Sequence, residues 1–112
     1  MNSFQKVQQF FEHLSDPTRL SIVLNLLKEA KTVTQIHEKL GKKTLTLSAI
    51  SHQLRQLYDT KIVEFKKKGR EKYFYLSDEF CWCILHDALA HYEGKTKCKV
   101  CKQEVNQRRN SL

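Results

Sequence analysis

Four residues of the segment TLSAISHQLRQL, namely Ser48, Ser51, His52 and Arg55, lie three or four positions apart, so on a helix they stand in one row. Hydroxyls and an imidazole are short donors and acceptors for base edges and phosphate oxygens. A guanidinium adds charge and two-pronged hydrogen bonding. Ile50, Leu54 and Leu57 keep helical spacing on the opposite side, which makes the polar row the exposed face of a helix packed on a core. A second group is basic: in KIVEFKKKGREKYFYL, the residues Lys61, Lys66, Lys67, Lys68, Arg70 and Lys72 oppose only Glu64 and Glu71. A third group is sulfur. Cys98 and Cys101 have the CxxC spacing at which two thiolates hold one soft ion, and Cys81 and Cys83 flank Trp82 as a CxC pair.

The elements that position these groups follow from apolar spacing and cap residues. Phe4, Val7, Phe10, Phe11 and Leu14 predict a first helix over 4–14, and Asp16 followed by Pro17 opens a second, apolar through Leu27. Thr32 or Thr34 caps a short third helix that stops at Gly41, and Thr46 caps the fourth, which carries the polar row. Two β-prone runs, 62–65 and 73–76, surround a Lys/Gly/Arg tip and predict a hairpin. Ser77, followed by Asp78 and Glu79, is expected to start a fifth helix running to about Glu93, with Gly94 as its stop. On that helix Phe80, Cys81, Trp82, Ile84, Leu85, Ala88, Leu89 and Tyr92 form a broad apolar arc, with Cys81 read as core packing and Cys83 pointing almost the other way.

Two helices joined by a turn and followed by a basic hairpin make a winged helix-turn-helix, mainly α, in which the second helix of the pair enters the major groove. The domain is expected over 1–94, dimeric through its first and last helices, with a polar CxxC tail over 95–112. A formal charge of +8 on 112 residues favours a polyanion such as double-stranded DNA over a small-molecule substrate. No apolar run approaches 18 residues and the start is polar, so neither a membrane span nor a signal peptide is expected. A cytoplasmic chain keeps its four cysteines as thiols. With three glycines, no phosphate-cradling loop, no paired carboxylates and no activated nucleophile, the sequence does not read as an enzyme.

The segments LSDPTRLSIVLNLL, SAISHQLRQL and VEFKKKGREKYFYL together resemble the ArsR/SmtB family, over roughly residues 4–94. The resemblance implies a dimeric winged-helix repressor that mostly releases operator DNA when a metal ion or another inducer binds. It puts Ser48, Ser51 and His52 at DNA-contacting positions. The turn GKKTLT before Leu47 is longer than the family's usual one. Many members hold a zinc-type ion across paired fifth helices; Asp78 and His91 match two of those four positions, and Phe80 and Gly94 replace the others. A soft ion, zinc first, at Cys98 and Cys101 would then be completed by His91 and Asp78, by Cys83 with His86, or by the CxxC of a second copy. The family's other thiolate site, on the recognition helix, is excluded because residues 46–58 contain no cysteine. Thiol oxidation, or a structural tail metal on a constitutive DNA-binding module, are the competing expectations.

Overall fold

The structure, a computed structural model, describes residues 1–41, 45–95 and 107–111. Its elements are α1 (Ser3–Leu14), α2 (Pro17–Asn25), α3 (Val33–Leu40), α4 (Leu47–Asp59), β1 (Val63–Lys68), β2 (Glu71–Leu76) and α5 (Cys83–Tyr92). A further helical stretch covers 107–110. The chain divides into two compact units, Met1–Phe80 and Cys81–Leu112. Helices at this order and size with an antiparallel hairpin form the expected mainly α winged helix-turn-helix.

Side chains satisfy the first amides of each helix in the first unit. Asn2 Oδ1 accepts from the Gln5 amide at 2.8 Å while Gln5 accepts from the Asn2 amide at 3.1 Å, and Thr32 and Gln35 repeat the reciprocal pair on α3. Asp16 accepts from the Arg19 amide at 2.9 Å with Pro17 at the first helical position, and Thr46 Oγ1 accepts from Ala49 at 3.1 Å. Of the two threonines that could cap α3, Thr32 does so, and α2 ends at Asn25 with Leu26 buried beyond it.

The core lies among α2, α3, α4 and the base of the hairpin: Ile22, Val23, Ile36, Ile50, Leu54, Leu57, Ile62 and Val63 are buried. Each such side chain contributes roughly 1.5–3 kcal/mol of transfer free energy. The polar row of α4 is thereby held outward by its own apolar stripe. At its end α4 closes on a left-handed cap. Lys61, at φ +65°, donates its amide to the Tyr58 carbonyl at 3.0 Å, and Ile62 donates to Leu57 at 2.9 Å. Leu57 and Ile62 are both buried beneath this cap.

The strands extend further toward the tip than the β-prone runs indicate. Val63 pairs with Leu76, Phe65 with Phe74, Lys67 with Lys72 and Lys68 with Glu71, which leaves Gly69 and Arg70 as a two-residue turn. Gly69 takes φ +64° while Arg70 keeps a negative φ, the sign pattern of a type II′ turn that suits the twist of a hairpin. On its other side β2 accepts one more partner. Lys31 and Phe74 exchange both backbone hydrogen bonds, at 3.0 and 2.8 Å, so the chain just before α3 is stitched to the hairpin.

The fifth helix departs from expectation. Ser77 does not cap it: the residue is 2% exposed, and its hydroxyl donates to the Lys61 carbonyl at 2.6 Å while its amide donates to Ile62. Asp78 and Glu79 lie in a turn and α5 starts only at Cys83, with no side-chain hydrogen bond at its own cap position, Trp82. Phe80 is therefore not on the helix; its ring packs 5.9 Å from that of Phe10. Cys81 is not on the helix either, and it is exposed rather than packed in a core. Gly94 does end the helix, at φ +73°, with Lys95 donating to Ala90 and Gly94 to His91. Cys98 and Cys101 lie outside the described residues.

Candidate nucleic-acid interface

Three pieces of the first unit surround one open groove of about 780 Å³. From α4 come Ser51, His52, Arg55, Tyr58 and Asp59; from the hairpin come Phe65, Arg70, Glu71, Lys72 and Phe74; the start of α3 adds Thr32, Val33 and Thr34. Ser51, His52 and Arg55 are exposed, as is Ser48 one turn earlier on the same helix. Their orientation follows from Ile50, Leu54 and Leu57 being buried on the other side of α4. The Gln56 amide nitrogen lies 3.2 Å from His52 Nε2.

Strand alternation divides the basic residues of the hairpin between two faces. Lys67 and Lys72 are direct partners and share a face with Phe65 and Phe74, with Lys72 Nζ 4.7 Å from the Phe65 ring centre. Lys66 and Lys68 take the opposite face, where Lys68 Nζ lies 5.8 Å from the Tyr73 ring centre. Arg70, at the tip, lines the groove. Of the wing residues named from sequence, Lys67 and Arg70 are thus on the groove side while Lys66 and Lys68 are not. Lys72 belongs with the groove residues, and the period-two pattern read from the paired strands identifies it. Two like charges directly opposite are unfavourable in the isolated protein. A polyanion reverses that sign.

His37 lies in the last turn of α3. In the structure its Nε2 is 2.8 Å from the Leu45 carbonyl, so the ring donates across the turn to the residue just before the Thr46 cap. Spacing could not reveal this, because the bond spans the long turn between the two helices.

The other ligand candidates are distributed over the two units. Asp78 is exposed in the first unit; Cys83, His86 and His91 are exposed in the second. His86 Nδ1 is 3.4 Å from Asp87, and the His91 ring stands edge-on to Tyr92. Among the described residues no group of three or more His, Cys, Asp or Glu is placed to hold a metal ion. Nor, among them, is any helix long and apolar enough to cross a membrane.

Residues 14–64, the stretch from the end of α1 into β1, match the family described as "Helix-turn-helix domain". The regulator NmtR of Mycobacterium tuberculosis is 32% identical over 88 residues, 79% of this chain and 71% of that protein. The arsenical resistance operon repressor of Bacillus subtilis is 33% identical over 89 residues, 76% of this chain and 79% of that one. The chain belongs to the ArsR/SmtB family. The solution structure of apo-NmtR superposes with a TM-score of 0.65 at 30% identity, covering 84% of this chain and 78% of that one. As an ArsR/SmtB member the protein is a DNA-binding transcriptional regulator and not an enzyme. Its helix-turn-helix is α3 and α4, and β1 and β2 are the wing.

Proposed function

We propose that this chain is a homodimeric repressor, acting in the cytoplasm on double-stranded operator DNA. The observation that carries the reading is the groove. Ser51, His52 and Arg55 of α4 meet Arg70 and Lys72 of the wing around one concave surface, with the amide end of α3 between them. The exposed row of α4, continued by Ser48, reads base edges; Lys67, Lys72 and Arg70 hold phosphate, and Lys66 and Lys68 add to the field from the outer face. Dimerisation uses α1 and α5, since both leave apolar side chains in solvent: Phe4, Val7 and Phe11 on α1, and Ile84, Leu89 and Tyr92 on α5. No residue of α5 is buried.

The inducer in this reading is a soft divalent metal ion, zinc first, held by the thiolates of Cys98 and Cys101 with ligands drawn from Asp78 and His91, Cys83 and His86, or a second copy. Two features support it: the CxxC spacing, and a relative named as an arsenical resistance operon repressor. Control of DNA binding requires the ion to prefer one of two dimer states, typically by 1–3 kcal/mol, roughly 5- to 150-fold in affinity.

The test uses a duplex site selected from a random pool, with affinity read by fluorescence anisotropy on reduced protein. Ser51→Ala or His52→Ala is expected to cost about 1–3 kcal/mol on that site and little on random duplex. Equal losses on both remove these residues from base reading. With zinc, the wild type is expected to change affinity about tenfold, within the usual range of coupling, and Cys98→Ser/Cys101→Ser to ignore the ion. No response in either protein ends the metal reading and leaves thiol oxidation as the control to examine.

A further inference from the structure

The groove between α4 and the wing has a floor that phosphate does not explain. Tyr58, Phe65 and Phe74 make a row of rings, with centroids 5.1 Å apart from Tyr58 to Phe65 and 5.6 Å from Phe65 to Phe74. All three line the groove: Phe74 is buried, Phe65 is half-buried and Tyr58 is 45% exposed. The face of an aromatic ring carries negative charge density, so it repels phosphate oxygens and favours another ring, packed offset or edge-on. At about 780 Å³ the groove also falls within the range of small-molecule sites, roughly 300–1,000 Å³.

The charge around that floor is one-sided. Arg55, Arg70 and Lys72 line the groove, and none of them is ion-paired among the described residues. Two carboxylates line it as well. Glu71 shares the outer face of the wing with Tyr73 and accepts from its hydroxyl at 3.3 Å, which leaves Asp59 against three cations. Lys72 Nζ stands 4.7 Å from the Phe65 ring centre, so a cation and a ring surface are presented side by side.

A ligand complementary to both features is flat, aromatic and negatively charged. We propose that this groove binds a small aromatic carboxylate, its ring packed on Tyr58 and Phe65 and its carboxylate held by the cations of α4 and the wing, and that such a ligand releases operator DNA by occupying the same surface. A guanidinium takes a carboxylate through two parallel hydrogen bonds. The proposal rests on the reading of the groove as the operator surface, and it adds a control independent of any metal: the ligand competes for the surface and need not shift the dimer between two states.

The probe is 2-naphthoate, titrated by calorimetry into reduced, metal-free protein without DNA. One naphthoate per chain is expected to bind. Naphthalene-2-methanol, which lacks the charge, should bind at least about tenfold more weakly. Cyclohexanecarboxylate, which lacks the flat ring, should bind about three- to tenfold more weakly, and Phe65→Leu and Tyr58→Leu should each weaken naphthoate by a similar factor. Circular dichroism checks that both variants fold. With labelled selected duplex, naphthoate at ten times its Kd should lower the apparent DNA affinity about tenfold, since exclusive occupancy divides it by 1 + [L]/Kd. Controls as tight as naphthoate, ring variants that bind it unchanged, or duplex and naphthoate bound together overturn the proposal. Failure of the operator reading shows in a different measurement, duplex affinity without naphthoate, so the two failures are distinct.

Discussion

Lys61 occupies the left-handed position that closes α4, where a side chain costs roughly 1–2 kcal/mol and glycine avoids the clash. Set against the extra freedom glycine gives the unfolded chain, Lys61→Gly is expected to stabilise the protein by about 0.5–1 kcal/mol. Urea unfolding measures this, and DNA affinity should not move, since the residue lies outside the groove lining. His37 makes the opposite case. Its half-buried bond to the Leu45 carbonyl ties α3 to the start of α4, and a hydrogen bond of this kind contributes about 0.5–1.5 kcal/mol. His37→Ala should lose about that much stability and weaken the selected operator more than random duplex. Equal weakening on both would show that the bond serves the fold and does not aim the helix.

At the scale of elements, the wing carries a built-in unfavourable pairing, Lys67 against Lys72. Removing both as Lys67→Ala/Lys72→Ala should lower the slope of log affinity against log salt by close to two, at about 0.9 per phosphate contact. Lys66→Ala/Lys68→Ala, on the outer face, should change that slope by less; equal changes would mean that the alternation of the strands does not select the contacts. The helices with strong apolar stripes and oxygen-bearing caps, α1 to α4, were legible in the sequence because both signals are local: Asp16, Thr32 and Thr46 are caps by residue type and by position. The hairpin was legible as a hairpin, but its ends were not, since KKK and EK are poor β-formers that pair because the turn at Gly69 and Arg70 holds them opposite each other. The start of α5 was not legible, for a tertiary reason: Ser77 is buried against the hairpin base, where its hydroxyl donates to the Lys61 carbonyl, sixteen residues away in sequence, and the helix begins only at Cys83. The same long-range cause hid the role of His37. Within the candidate site, the α4 row could be read directly, whereas Tyr58, Phe65 and the start of α3 join it only through folding.

For the molecule as a whole, the proposed dimer rests on the apolar stripe of α1. Phe4 is 74% exposed, and Val7 and Phe11 are each 54% exposed, on one face of the helix. Phe4→Ser/Phe11→Ser should shift sedimentation from dimer to monomer and cut affinity for a two-fold symmetric site at least about tenfold, since each half-site then binds alone. Stability in urea should change little if the monomer is the cooperative unit; a still-dimeric variant would place the interface elsewhere. The stitch between Lys31 and Phe74 acts at this scale too. It fastens the wing to the entry of α3, the first helix of the helix-turn-helix. A wing tethered in this way resists re-spacing, so the expected outcome is that part of the fit comes from the duplex, whose cost of bending depends on base-step stiffness, and that operators are selected partly at steps no side chain touches.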